Sequence, residues 1–242
     1  MSKGLKKYGI RISILLILWQ LISMLVKMPL IPSVDQIILS IFNIDELAIH
    51  VFFSLKRVLL GIFLALSVGL PLGIIMGATK QGEKLLQPYL YLTYPVPKMA
   101  FLPLVMLVFG LGDIAKIIMV FLITVFPVIV NVRDEIKKIP EDTYIPIVSL
   151  GASKHVVLRE IILPSILPGV LTALRVCSGT ALSVLFFAEN FGTSYGMGYV
   201  IIDAWMRVNY SEMYGGIFVM SCMGLTLFVL IDLIEKRFVT WR

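Results

Sequence analysis

Charged residues, cysteines and histidines are all scarce in this sequence. Its 242 residues include 21 basic and 15 acidic side chains, which is 15% charged, whereas a soluble globular domain has about a quarter. Cys177 and Cys222 lie inside separate apolar runs, so they provide neither a disulfide framework nor a metal cluster. His50 and His155 cannot form a zinc site alone. These shortages exclude an ordinary soluble enzyme.

Long apolar runs dominate what is present, with 59% hydrophobic residues and a mean hydropathy of +0.96. A bilayer core needs about 20 mostly apolar residues per helix. The sequence therefore predicts an all-α membrane protein. Six spans are expected, at about 10–27, 52–79, 84–109, 113–132, 166–188 and 212–233. The third contains Pro88, Pro95, Pro97 and Pro103, so we expect it to bend or break.

The distribution of lysine and arginine predicts the orientation, because basic loops stay cytoplasmic. One side holds the N-terminus, the 80–84 turn, the 133–160 loop and the C-terminus, with fourteen basic residues. The other side holds at most five, and two fall within spans. Both termini are thus predicted to be cytoplasmic, with the first run as an uncleaved anchor. Because the basic residues follow this topology, the net charge of +6 does not indicate nucleic-acid binding.

One predicted cytoplasmic loop, about 133–165, is much longer than the other. Turn residues at Pro140 and Gly151 separate apolar positions, which predicts two short amphipathic helices outside the bilayer, bent at Gly151, Ala152 and Ser153. Such a helix-turn-helix is suited to docking a partner. The alternative is an amphipathic loop resting on lipid headgroups.

The run from Gly151 through Ile161 to Leu163 and Pro164 resembles the cytoplasmic EAA signature of importer-type ABC transporter permeases. The spacing from Gly151 onward matches at every named position. Further segments are similar to the nitrate, sulfonate, taurine and bicarbonate branch of that family: PLGIIMGAT, FLPLVMLVFGLGD, LGASKHVVLREIILPSILPGVLTALRV, FFAENFGTSYGMGYVIIDA and RFVTWR. The resemblance covers about residues 52–242. It departs from the family where Ile145, Pro146 and Ile147 occupy the Glu-Ala-Ala positions, with Glu141 or Asp142 as possible substitutes one turn upstream.

This resemblance implies a type I importer permease fold, with an anchor and outer loop at 1–49 and a permease core at 50–242. It implies a homodimer in a prokaryotic cytoplasmic membrane, two ATPase subunits, and a solute-binding protein that delivers a small anion from outside. The residues expected to couple the chain to the ATPase are Leu150, Gly151, Ala152, Ser153, Ile161, Leu163 and Pro164. The sequence has no G-x-x-x-x-G-K-[ST] motif, so ATP and its magnesium are expected on the partner, and this chain is expected to be no enzyme and to need no cofactor.

Charged groups within spans are candidates for the solute pathway, because burying them in lipid is costly. They are Lys98, Arg57, Arg175 and Glu189. Three basic groups would attract an oxoanion, and Lys98, in the broken third span, is the first choice. The alternative is structural: Arg57 extends toward the interface, and Arg175 pairs with a carbonyl or an acid.

A small-residue stripe, Gly61, Ala65, Gly69, Gly73 and Gly77, predicts close helix packing within the subunit or at a dimer interface. The glycine-containing outer loop, about 190–211, is expected to be a short re-entrant or surface element, or an ordinary connection. Two other functions stay open at this point. One is a membrane coupling subunit of a vitamin or vitamin-precursor uptake system, and the other is a non-transporting membrane enzyme or scaffold.

Overall fold

The computed structural model of the chain describes residues 2–26 and 28–240, with side chains described from residue 14 onward. Every regular element in this part of the chain is helical. The α-helices are α1 Ser2–Val26, α2 Val34–Phe42, α3 Leu47–Ala78, α4 Lys80–Thr93, α5 Leu102–Phe109, α6 Asp113–Lys137, α7 Ile145–Ser149, α8 Lys154–Val157, α9 Leu163–Ala188, α10 Met197–Met206 and α11 Tyr210–Phe238. Short 3₁₀ turns occupy Lys98–Phe101 and Glu141–Thr143, and a π-helical turn occupies Leu158–Ile162.

Four helices are long and apolar enough to cross a membrane. They are Leu47–Ala78, Asp113–Lys137, Lys154–Ala188 and Tyr210–Phe238, and the bent pair α4 and Lys98–Phe109 makes a fifth if it is one span. The helix predicted as the first span is present as α1, but its described apolar part, Ile14–Val26, is shorter than these. An all-α membrane protein is confirmed, while the sixth span, the membrane orientation and the division at residue 50 stay predictions.

The predicted break in the third span is confirmed. The two halves meet at an angle of 80°, and the break contains Pro95 and Pro97. Each proline lacks a backbone N–H and disfavours helical geometry at the residue before it, so two in close succession end α4. Pro103 lies in the first turn of α5, where proline is tolerated. Pro88 lies inside α4.

The small-residue stripe packs α3 against α6 within the chain. A Cβ added at Gly61 would lie 2.5 Å from the Cβ of Val120, and one at Gly73 would lie 2.6 Å from the Cβ of Val132. Real side chains do not approach this closely, so only glycine permits the observed distance between the two helices. Of the two alternatives that the sequence left open, packing within the subunit or at a dimer interface, this contact shows packing within the subunit.

The helix after the long loop differs from the prediction. The second amphipathic helix is not a separate surface element, because Lys154–Ala188 is one continuous helical span. Ile161 and Ile162 are 3% and 6% exposed, and Ile162 packs in a core cluster with Val132 and Ile136 of α6. Burial of Ile162 among α6 side chains holds the first turns of the helix against α6, so the bend lies only at residues 150–153.

Side-chain contacts define the two ends of the bundle. Glycines of α3 meet α6 in the same order along both helices, from Gly61 with Val120 to Gly77 with Ile136, so α3 and α6 run parallel. Arg57, near the start of α3, contacts Glu189 at the end of α9, so α9 runs the opposite way. Residues 138–153 therefore lie at one end, called here the loop end. The starts of α3 and α6 and the end of α9 form the opposite end.

Candidate functional site

The segment that joins α6 to the continuous helix of α8 and α9 exposes apolar side chains at the loop end. Leu150 is 87% exposed, and Ile145 and Val148 are more than half exposed. Gly151 has φ of +77°, and no other group approaches within 4 Å of where its Cβ would lie. A left-handed residue favours glycine, so Gly151 permits the sharp reversal after α7. We call residues 145–153 the coupling turn, after the role that the sequence predicts for residues 150–153.

The predicted coupling residues divide into two groups. Leu150, Gly151, Ala152 and Ser153 are contiguous in the coupling turn, and Ser153 is the N-cap residue of α8. Ile161 is buried against the bundle, while Leu163 and Pro164 lie in the first turn of α9. The structure therefore does not bring all seven residues onto one surface.

Acidic and aromatic residues precede the coupling turn. Glu141 and Asp142, which could replace the missing family glutamate, are exposed in a 3₁₀ turn. Tyr144 packs against the core cluster around Ile162, and burial raises the pKa of its phenol above the ordinary value. Tyr144 thus anchors the start of the turn while Ile145 and Val148 stay exposed.

A buried charge cluster lies at the opposite end. The Arg57 guanidinium contacts Asp113 Oδ1 at 2.6 Å and Glu189 Oε1 at 2.6 Å, and it donates to the carbonyl of Tyr195 at 2.7 Å. Arg57 is 3% exposed and Glu189 is fully buried. Lys56 contacts the second oxygen of Asp113 at 3.0 Å. Arg57 therefore ties the beginnings of α3 and α6 to the end of α9 and to the loop that follows.

Further hydrogen bonds surround the Glu189 carboxylate. Ser54 Oγ donates to it, the amide of Gly198 donates to it at 2.8 Å, and Ser54 Oγ in turn accepts from the amide of Met197. A Cβ at Gly196 would lie 2.5 Å from the Glu189 carboxyl carbon, so the loop approaches the carboxylate closely only with glycine there. The sequence indicated Arg57 and Glu189 as candidate residues. It did not indicate Ser54 and Asp113, because a serine within a span and an acid at the start of one carry no signal without the fold.

The other two candidate pathway residues have different surroundings. Lys98 Nζ donates to the carbonyls of Thr93 at 2.7 Å and Tyr94 at 2.5 Å and lies 4.6 Å from the ring centre of Phe126. It thus caps the C-terminus of α4 at the break, beside a cavity of about 340 Å³. Arg175 instead contacts Asp232 at 2.5 Å and Glu235 at 2.7 Å on α11. Among the described residues, Arg175 thus has the acidic partners that the structural alternative expects.

A bundle of long apolar helices with a broken segment and an exposed apolar turn at one end is the architecture of a multi-pass membrane protein. The family model described as "Binding-protein-dependent transport system inner membrane component" matches residues 69–241. The chain belongs to this family, and it is the transmembrane permease subunit of an ABC importer.

Two curated relatives and one solved structure illustrate the similarity. The chain is 30% identical to SsuC of Bacillus subtilis, named for aliphatic sulfonates transport, over 99% of this chain and 90% of the relative. It is 32% identical to the taurine transport system permease protein TauC of Escherichia coli, over 80% and 70%. An inward-facing structure of the MetNI methionine ABC transporter aligns with a TM-score of 0.69 and 17% identity, over 78% of this chain and 94% of that one. The last similarity concerns the fold alone.

Proposed function

We propose that this permease imports a small organic sulfonate or an inorganic oxoanion such as nitrate or bicarbonate, delivered by a binding protein. The observation that carries this proposal is the family membership together with the two relatives named for sulfonate and taurine transport. Lys98 supports it, because a cation at the break of the third span gives an anion a favourable electrostatic environment.

The coupling turn is proposed to dock the partner ATPase at the loop end. Its exposed apolar side chains, led by Leu150, suit insertion into a groove of a folded partner. ATP and magnesium are proposed to bind to that partner, since the Walker motif is missing from this sequence. Closure of the ATPases would then move the coupling turn, and with it α6 and α9, between which the turn lies along the chain.

We further propose a homodimer with one ATPase per copy, in a prokaryotic cytoplasmic membrane. The loop end faces the cytoplasm in this arrangement. The structure supports this grouping, because Glu83, within the predicted cytoplasmic turn 80–84, pairs with Lys137 beside the long loop. Basic residues concentrate in these segments, as the positive-inside rule requires.

Of the four candidate pathway residues, we propose only Lys98 for contact with the solute. Arg57 and Glu189 are proposed to hold the loop before α10 in place, because each has its charge neutralised by partners within the cluster. Arg175 is proposed to join α9 to α11 at the loop end through its two acidic partners.

The docking proposal is tested by purifying the tagged permease in mild detergent and identifying what accompanies it. A Gly151→Glu variant is expected to lose the ATPase and to abolish uptake while inserting normally into the membrane. Gly110→Glu is the matched control, because Gly110 has a similar φ of +79° and equally open surroundings. Wild-type ATPase recovery with Gly151→Glu would refute the docking role.

The pathway proposal is tested with proteoliposomes that contain the complete transporter. A Lys98→Met variant should lower the rate of anion uptake about tenfold or more, because the local cation that attracts the anion is lost, while ATPase recovery stays normal. Lys56→Met, which also removes one basic charge, serves as the control. Uptake of a neutral heterocycle in preference to every anion tested would favour the vitamin-precursor alternative.

A further inference from the structure

A polar cavity of about 450 Å³ opens at the end of the bundle opposite the coupling turn. The loop between α2 and α3, the loop before α10, α10 itself and the start of α11 all contribute to its wall. The carboxylate, guanidinium and imidazole side chains in its wall are those of Asp45, Glu46, His50, Asp203, Arg207 and Glu212. None of them takes part in the Arg57 cluster or in the coupling turn.

Negative charge predominates in this cavity. Four carboxylates face one guanidinium, that of Arg207, which pairs with Asp203 at 2.8 Å and with Glu212 at 2.7 Å. The hydrogen bond from Arg207 to Glu212 raises the pKa of Arg207 above its ordinary value, so it stays charged. Asp45 and Glu46 are exposed and form no ion pair with any described residue. The cavity is therefore a local negative site on a chain of net charge +6.

His50 adds an unused hydrogen-bonding group to the wall. Its side chain is 7% exposed, and the amide of Gly196 donates to Nδ1 at 3.0 Å. The carbonyl of the same residue lies 3.3 Å from Nδ1. The shorter contact decides the tautomer, because an amide N–H can only donate, so the ring hydrogen is on Nε2. Nε2 has no hydrogen-bond partner within the described part of the chain, and the ring stacks on Tyr199.

We propose that this cavity receives an arginine or lysine side chain of the solute-binding protein, and that a backbone carbonyl beside it accepts from His50 Nε2. This inference rests on the proposed function, which places the loop end in the cytoplasm and this cavity outside. Charge complementarity selects the occupant: the carboxylates attract a cation, whereas an anionic solute or an anionic lipid headgroup is repelled. Tyr199, which is 37% exposed and stacks on His50, provides a flat aromatic wall for a guanidinium plane.

The test uses the complete permease–ATPase complex in nanodiscs and the binding protein that purifies with it. Association is measured by interferometry at low and high salt. The double variant Asp45→Asn/Glu46→Gln should raise Kd about tenfold, mainly through slower association, and should weaken the salt dependence. Asp35→Asn is the matched control, because Asp35 is an α2 carboxylate outside the cavity wall. It should bind as the wild type does.

A charge reversal sharpens the result. Asp45→Lys/Glu46→Lys should raise Kd more than about a hundredfold, and changing the inserted basic residue of the binding protein to glutamate should restore part of the loss. Recovery of the ATPase with each variant reports whether the permease folds and whether the proposed function holds, independently of binding at the cavity. Wild-type Kd and salt dependence in the neutralised variant would overturn the cavity assignment, even with the ATPase bound. Saturable binding of guanidinium without any effect on the binding protein would overturn it as well.

Discussion

Substitution of Arg57 is the strongest test of how the end of the bundle opposite the coupling turn is held together. Replacing it by methionine removes the partner of Glu189, which is fully buried, and one of the two partners of Asp113. Removing one member of a buried ion pair costs about 3–5 kcal/mol, because the other charge stays buried and uncompensated. Ser54 and the amide of Gly198 still donate to Glu189, so we expect about 3 kcal/mol, near the lower limit of that range.

The assay is the free energy of unfolding from SDS titration in mixed micelles. Lys56→Met is the internal control, since Lys56 contacts the same Asp113 but its side chain is 39% exposed. An exposed pair contributes less than about 1 kcal/mol. Equal losses for Arg57→Met and Lys56→Met would refute the argument that burial makes the Arg57 cluster essential.

A second measurement locates the effect. Hydrogen exchange of the amides of Met197 and Gly198 should accelerate in the Arg57→Met variant. The Met197 amide donates to the Ser54 hydroxyl and the Gly198 amide to the Glu189 carboxylate, and both acceptors lose their fixed position in the variant. Adding Glu189→Leu to Arg57→Met should recover part of the stability by removing the uncompensated charge. A double variant no more stable than the single one would contradict this explanation.

Two further predictions concern backbone and packing. Gly61→Ala should destabilise the bundle by about 1–3 kcal/mol, since its Cβ would meet Val120 at 2.5 Å. Gly179→Ala, with its nearest neighbour at 3.9 Å, should be neutral or slightly stabilising in the same SDS titration, because alanine favours the helix. Val208→Gly should stabilise the protein by about 0.5–1 kcal/mol. Val208 has φ of +61°, a left-handed conformation that costs a residue with a side chain about 1–2 kcal/mol. Glycine removes this strain, but part of the gain is lost because glycine gives up more conformational entropy on folding. A lower midpoint for Val208→Gly would contradict the strain argument.

Local patterns predicted the parts of this protein that depend on short stretches of chain. Uninterrupted apolar runs predicted four spans that the structure confirms, because a bilayer imposes length and composition on each helix by itself. Pro95 and Pro97 predicted the break, since a missing N–H acts within one helical turn. The residues from Gly151 to Pro164 indicated the family, which the match over 69–241 confirms.

Contacts between distant residues could not be predicted in this way. The stripe from Gly61 to Gly77 indicated close packing, but only the fold shows that α6 is the partner, because small residues do not specify what approaches them. Ile161 was expected in a surface helix and is buried, since the same apolar pattern suits a docking surface and a core. Its burial depends on how the bundle packs around it.

The membrane class, the break and the family were thus determined by the sequence itself, through rules that act over one helix or one motif. Tertiary structure alone decided that Arg57 meets Asp113 and Glu189, residues 56 and 132 positions away. It also decided that Asp45, His50 and Arg207 line one cavity. The physical reason is that charge and hydrogen bonding act through space over a few ångströms, and only the folded bundle brings these residues that close.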